Sequence, residues 1–291
     1  MDLRPEISVV IPIYNEEDNV QDLHQQLTRS LEGLGRPYEI ILVDDGSTDG
    51  TLARLLDLEA RDRRVRTLRL RRNFGQTAAF SAGFDHARGD VVVTSDGDLQ
   101  NDPADIPLLL AKIDEGFDMA CGWRRDRRDP LSKRLPSFFA NHLISWATGV
   151  HLHDYGCSLK AIRSDVVKHL RLYGEMHRFI PAVASWMGVS LAEVPVNHRP
   201  RTRGRSKYGL GRTVRVLLDL FTVKFLLAYG TRPAHLFGLM GLLRGGAGFL
   251  VLSHLAYIRL FQDTAIGGRT LLSIGVLLLL TGVILVRFCL L

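Results

Sequence analysis

Asp96 and Asp98 stand one residue apart, at and just past the end of the apolar run 91–95. Two carboxylates at that spacing beyond a strand can converge on one hard cation. Mg2+ and Mn2+ take oxygen ligands and often bridge protein carboxylates to substrate phosphates. A cation held there would neutralise a diphosphate as it departs. Gln100 adds an amide oxygen or a hydrogen bond, which makes Asp96, Asp98 and Gln100 the candidate metal set. An isolated D-x-D is more often a turn rich in Asp and Gly. Two further polar clusters shift the balance here: Pro12-Ile13-Tyr14-Asn15-Glu16 closes the apolar run 7–13, and Val43-Asp44-Asp45-Gly46-Ser47 closes the run 38–43. An Asp can accept an imide N–H, and a ring such as that of Tyr14 can stack on a base. Asp44 would serve almost equally well as a turn cap.

These clusters need a scaffold that collects strand ends. Continuous apolar runs at 7–13, 38–43, 65–70 and 91–95 read as strands buried on both faces. Helical stretches are expected between them, from Asn15-Glu16-Glu17-Asp18 to about residue 34, after Thr48-Asp49, over 76–87 and after Pro103. A further strand is expected near 118–121 and a short edge strand over 189–196. Strands alternating with helices imply a doubly wound α/β sheet, and ligands bind such sheets beyond the carboxyl ends of the strands. The polar clusters all fall at those ends.

The remaining 60 or so residues are of a different kind. Residues 234–260 are mostly apolar but contain Arg244, and 270–286 carry no charge before Arg287. A spanning helix needs about 20 apolar residues, so both segments qualify and the connection 261–269 makes them a hairpin. Arg244 costs about 2.5–3.5 kcal/mol at a bilayer centre and is expected to snorkel or to face the other helix. The segment 210–228 reads as an amphipathic helix on a membrane surface. The 291-residue chain has a formal charge of +6. Arg199, Arg201, Arg203, Arg205, Lys207, Arg212 and Arg215 come without an intervening acid, directly before the apolar part. That asymmetry places the globular part in the cytoplasm. A nucleic-acid role is disfavoured, because the stacking aromatics of a single-strand binder are missing. Three scattered cysteines argue against a disulfide framework, and the opening residues lack the apolar core of a cleaved signal.

The motifs at 12–16, 43–47, Arg72-Asn73-x-Gly75 and 96–100 resemble the family 2 glycosyltransferases, over roughly residues 6–125. Further along, Asp154-Tyr155-Gly156-Cys157-Ser158-Leu159-Lys160-Ala161 and Arg201-x-x-Gly204-x-Ser206-Lys207-Tyr208 are similar to the polyprenyl-phosphate glycosyltransferases, the group of dolichol-phosphate mannose synthase and the bactoprenol glucosyltransferases. The resemblance implies a GT-A-type doubly wound mixed sheet, followed by amphipathic interfacial helices and two C-terminal transmembrane helices. The implied domains are a catalytic unit over 1–208, a juxtamembrane segment over 209–230 and a membrane hairpin over 231–291. It also implies a multi-pass protein of the inner membrane, with Mg2+ or Mn2+ as cofactor and a homo-oligomer by analogy. The implied reaction is inverting transfer of a hexose or pentose from a UDP- or GDP-sugar to a polyprenyl phosphate. Tyr14 and Asp45 would then contact the nucleobase, with Pro12, Glu16 and Asp44 lining its pocket. Asn15, Asn73, Gln76, Asp96, Arg201 and Lys207 complete the donor set. Arg124, Lys133, Arg134 and Ser137 would meet the acceptor phosphate.

Asp154 and Asp98 join Arg124 as the catalytic candidates. A phosphate monoester, with a second pKa near ~6, is already largely anionic at neutral pH. It requires positioning and charge compensation more than a base. Asp154 can therefore act as a base, orient an arginine of the cradle, or cap a helix around Leu159. His177 near Arg178 receives only a weak vote, because a lone His is more often structural. The rival readings are a glycosyltransferase with a hydroxyl acceptor, which would need a true base, and a non-catalytic membrane scaffold.

Overall fold

The computed structural model describes residues 4–125, 141, 143–146, 148–172, 174–200, 220–222, 224–225, 233–262, 265–267 and 270–288. The chain divides into two compact units, Met1–Val223 and Lys224–Leu291. Little of the expected surface helix over 210–228 falls within the described residues.

The first unit is built on seven strands: β1 (Ile7–Ile13), β2 (Tyr38–Asp44), β3 (Val65–Arg69), β4 (Val91–Thr94), β5 (Met119–Trp123), β6 (Lys160–Arg163) and β7 (Leu191–Pro195). They lie in the order β3-β2-β1-β4-β6-β5-β7. β2 is buried along its whole length, and β1 at every position but Pro12. That is why both read as unbroken apolar runs. β1 pairs in parallel with β2 on one side and β4 on the other. β6 alone runs against its neighbours, antiparallel to both β4 and β5. The expected helix around Leu159 is therefore corrected: the chain there enters a strand, and Ala161 and Ile162 lie opposite Val93 and Val92. Local pattern could not reveal this, because a four-residue strand is too short to display a period. The reversal places the start of β6 at the edge where β1, β2, β4 and β5 end.

α1 (Val20–Glu32), α2 (Thr51–Arg61), α3 (Gln76–His86) and α4 (Ile106–Asp114) connect the early strands. α1 buries Val20, Leu23, Leu27 and Leu31 at helical spacing, and these residues pack in one core with β1, β2 and α4. Phe80 and Phe84 of α3 join a second core with Ile162 and Ile180. The sheet is thus covered on both faces. α1 begins later than its acids suggest: Glu16, Glu17 and Asp18 lie in the loop before it, and Asn19 sits at its N-cap position. α5 (Ser164–His169) and α6 (Ile180–Trp186) precede the edge strand β7.

The second unit is a helical hairpin of α7 (Pro233–Phe261) and α8 (Thr270–Phe288). Both helices are long and apolar enough to cross a membrane. Glycines let their backbones touch. A Cβ on Gly282 would lie 2.5 Å from the backbone N of Gly245, and one on Gly248 would lie 2.5 Å from that of Leu279. Small residues at such seams supply packing where burial in water cannot. Gly282→Leu should therefore force the helices apart at a cost of about 1–3 kcal/mol. The expected result is a lower thermal midpoint for the detergent-solubilised chain, while Gly246→Leu, where an added Cβ meets nothing within 4 Å, leaves it unchanged.

Candidate active site

The candidate site lies where β1 and β4 part, at the carboxyl ends of the parallel strands. Their pairing stops at Val10 and Thr94, whereas β1 continues beside β2 to Ile13. Pro12, which has no N–H to donate, occurs where β1 has one paired neighbour left. Gly97 fits against this end: a Cβ there would lie 2.5 Å from Ile13 Cδ1. The D-x-D loop is thus seated directly on the end of β1.

The neighbouring loops are laced together by side chains expected to meet a ligand. Asn15 adopts a left-handed backbone conformation, φ 51°. Its N–H donates to Ser47 Oγ at 3.0 Å, and its Oδ1 accepts the Thr48 N–H at 2.7 Å. Glu16 donates its N–H to Thr51 Oγ1 at 2.9 Å and accepts from Asn19 Nδ2 at 2.6 Å. Asp45 accepts the N–H groups of Phe74 and Gly75 at 2.8 and 2.9 Å, fixing the turn that carries Asn73. Burial pushes the Asp45 carboxyl upward, and the charge of Asp44 adds to this against the two N–H donors. Gly46 has φ 68°, and a Cβ there would lie 2.4 Å from the Arg72 carbonyl carbon, so only glycine lets these turns touch. Asp44 is fully buried; its Oδ1 accepts the Ser47 N–H at 3.0 Å, while its Oδ2 has no hydrogen-bond partner among the described residues. Tyr14 stands partly exposed directly after Ile13, the register partner of Asp44.

Beyond β4, Asp96 Oδ1 accepts from Gln76 Nε2, the first side chain of α3, at 2.5 Å. Burial and the nearby Asp98 charge push the Asp96 carboxyl up, opposed by a hydrogen bond from Ser158 and by the charges of Arg124 and Lys160. Asp98 Oδ1 accepts the Gln100 N–H at 3.1 Å across Leu99, which is left-handed at φ 60°. A non-glycine residue in that region is strained, and the buried Leu99 side chain holds it there. The Gln100 carbonyl accepts the Arg199 N–H at 2.9 Å, and Asp102 pairs with the Arg199 guanidinium at 2.6 Å. The segment after β7 is thereby docked on the D-x-D loop.

Arg124 follows β5 and makes a two-pronged pair with Asp154, Nε to Oδ2 at 2.7 Å and Nη2 to Oδ1 at 2.9 Å. Oδ2 also accepts the Arg124 N–H at 3.4 Å and Oδ1 the Gly156 N–H at 3.0 Å. Four donors therefore meet a carboxylate that has about four lone-pair sites. Asp154 is buried and Arg124 nearly so. Burial alone would lower the Arg124 pKa, but the Asp154 pair outweighs it and the net direction is upward. The pair and the D-x-D occupy one edge of the sheet, close enough for Arg124 to act on Asp96.

Sequence reasoning gave Lys160 and Ser158 no role at the site. Lys160 is buried and donates to the Cys157 carbonyl. The signal for both was their place in the 154–161 motif, which carried no role for either. His177 Nδ1 bonds Thr77 Oγ1 at 2.7 Å, so it anchors the start of α3 from behind. Lys133, Arg134, Ser137, Arg201 and Lys207 lie outside the described residues.

Residues 8–171 match the sequence pattern described as glycosyl transferase family 2. The chain belongs to that family. A relative named dodecaprenyl-phosphate galacturonate synthase, from Rhizobium johnstonii, is 46% identical over 283 residues, 96% of this chain and 84% of the relative. Among solved structures, glucosyl-3-phosphoglycerate synthase from Mycobacterium tuberculosis with Mn2+, UDP and glucosyl-3-phosphoglycerate superposes with a TM-score of 0.60. It is 20% identical and covers 76% of this chain and 80% of its own. The same enzyme with Mn2+ and UDP-glucose gives 0.59 at 22% identity, covering 76% and 79%. These two likenesses carry the GT-A-type sheet and nothing finer. As a family 2 glycosyltransferase, the chain has its paired Arg124 where Gly156 leaves room for it: a Cβ on Gly156 would lie 3.0 Å from Arg124 Nη2 and 3.4 Å from Asp154 Oδ1. Gly156→Ala should displace the guanidinium and reduce transfer about tenfold, the effect of roughly 1.4 kcal/mol in a barrier. Circular dichroism should show the fold intact.

Proposed function

We propose that this enzyme transfers a sugar from a nucleotide-diphosphate donor to a polyprenyl phosphate at the cytoplasmic face of the inner membrane. The sugar we infer is a galacturonate, supported by the relative that is 46% identical across nearly the whole chain. The observation that carries the acceptor class is the saturation of Asp154. Its carboxylate is committed to Arg124 and Gly156, which suits an acceptor that brings its own negative charge and does not suit a hydroxyl awaiting a base.

In this reading an acceptor phosphate oxygen attacks the sugar C1 in line with the donor. The bond from C1 to the diphosphate oxygen breaks, the electron pair leaves with the diphosphate, and C1 inverts. Asp154 aligns Arg124, and the guanidinium N–H groups not used by Asp154 orient the acceptor phosphate. Tyr14, Asp44 and Asp45 line the base pocket, where the unpartnered Asp44 Oδ2 is a ready acceptor for a base N–H. The donor set fits a hard divalent cation: Asp98 lies close enough to raise Asp96, and a cation there would relieve that repulsion. No cluster of three or more His, Cys, Asp or Glu suited to a metal occurs among the described residues, in keeping with ions that take one or two carboxylates and fill the rest from phosphate and water. When bound, such a cation neutralises the departing diphosphate. The catalytic part extends to about residue 208, a juxtamembrane segment follows over 209–230, and the hairpin over 231–291 anchors the enzyme. The basic run over 199–215 sets its orientation.

Radiolabelled nucleotide-sugars incubated with a polyprenyl phosphate and the full-length enzyme test this. Label should enter the lipid phase from a UDP-uronate, require Mg2+ or Mn2+, and vanish in Asp98→Ala. Asp154→Asn should retain measurable transfer while Arg124→Ala loses about a hundredfold, near 2.7 kcal/mol of transition-state stabilisation. Complete loss in Asp154→Asn, with label passing only to a hydroxyl acceptor, would refute the phosphate reading.

A further inference from the structure

Glu193 lies on the edge strand β7, opposite Cys121 of β5, and its side chain is only 15% exposed. Among the described residues its hydrogen bonds all go to one turn. Its Oε1 accepts the His153 N–H at 2.8 Å and the Asp154 N–H at 3.4 Å, and its Oε2 meets His153 Nδ1 at 2.7 Å. A carboxylate can only accept, so Nδ1 carries the proton in this bond. The same turn is tied to the end of β5 by two side-chain rungs. The His153 ring stacks on Trp123 with centroids 4.3 Å apart, and Asp154 grips Arg124. Adjacent residues of the turn thus hold adjacent residues of the strand end, and Glu193 fixes the turn from beneath.

We propose that Glu193 is a positioning residue for the acceptor phosphate. It acts through the His153–Asp154 turn to set the angle at which Arg124 faces the site. This rests on the reading of Arg124 as the acceptor arginine. A guanidinium binds phosphate through a rigid planar fork, so a small tilt of Asp154 misaims it, whereas the donor loops at 12–16, 44–47 and 73–76 are built without Glu193.

The test uses full-length enzyme in detergent with a polyprenyl phosphate and the nucleotide-sugar. In Glu193→Ala the acceptor KM should rise about tenfold while the donor KM changes less than about twofold. Glu193→Gln keeps an acceptor oxygen for the two backbone N–H groups and should recover most of the loss. In an Asp154→Ala background, Glu193→Ala should add little, the non-additivity expected of residues acting in series. The proposal is overturned if Glu193→Ala leaves the acceptor KM unchanged, lowers kcat without moving it, raises both KM values alike, or adds its full effect on top of Asp154→Ala. Arg124→Ala separates the two layers: an unchanged acceptor KM there removes the acceptor assignment itself, whereas a large rise there with none in Glu193→Ala removes only the role of Glu193.

Discussion

A buried arginine must be matched by negative charge, and at this site Arg124 is matched without being used up. Removing one partner of a buried ion pair leaves an uncompensated charge and typically costs about 3–5 kcal/mol, so Asp154 and Arg124 each hold the other in place. The two-pronged geometry consumes Nε and one edge of Nη2 and leaves the rest of the guanidinium for another anion. The pair is close to neutral as seen from a distance, yet it presents N–H donors at short range. That combination tolerates burial next to the acidic D-x-D loop, which an unpaired carboxylate base in the same place would not. Asp96 already carries the repulsion of Asp98.

The reversed strand is what allows this balance. In an all-parallel sheet the neighbour of β4 would point its carboxyl end to the same edge and send its entry loop to the opposite one. β6 instead enters at the active edge, so the 153–158 turn, Ser158 and Lys160 arrive beside Asp96. Thr94 Oγ1 donates to the Ser158 carbonyl at 2.5 Å and Asn101 Nδ2 to Ser158 Oγ at 2.7 Å. The D-x-D loop and the 153–158 turn therefore share one hydrogen-bonded support. Pro12 and Gly97 contribute on the other flank, the first by ending the β1–β4 ladder and the second by letting the loop lie against Ile13.

Much of this was legible because burial on both faces writes itself into sequence. The runs that became β1, β2 and β4 are apolar at nearly every position, and the polar residues that follow them could only lie at strand ends. The edge strand near 189–196 was legible too, from its length and flanks. β6 was not, since a four-residue strand that begins with lysine has no period to read and owes its existence to partners 70 residues earlier in the chain. Residue type alone also blurred two kinds of polar group. Asn15 and Asp45 have the chemistry of ligands, but much of their hydrogen-bonding capacity goes into holding loops together. His177 has the chemistry of a catalyst and bonds a threonine. Such assignments depend on which backbone N–H groups happen to be nearby, and that is settled only when the chain is folded.

Charge arithmetic limits what the site can accept. A nucleotide-sugar brings a diphosphate, a polyprenyl phosphate brings another phosphate, and a uronate would bring a carboxylate, all beside Asp96 and Asp98. Desolvating that many like charges without compensation is prohibitive. Among the described residues the cations acting on Asp96 are Arg124 and Lys160, the first already paired with Asp154. A divalent cation at the carboxylates would meet much of that deficit, and Arg199, fastened to the D-x-D loop, opens an acid-free basic run over 199–215 in the sequence. The same run precedes the apolar hairpin. A phosphate acceptor adds to the charge to be offset and a hydroxyl acceptor does not, so a site that keeps Arg124 paired with Asp154 and still able to donate is better matched to the first.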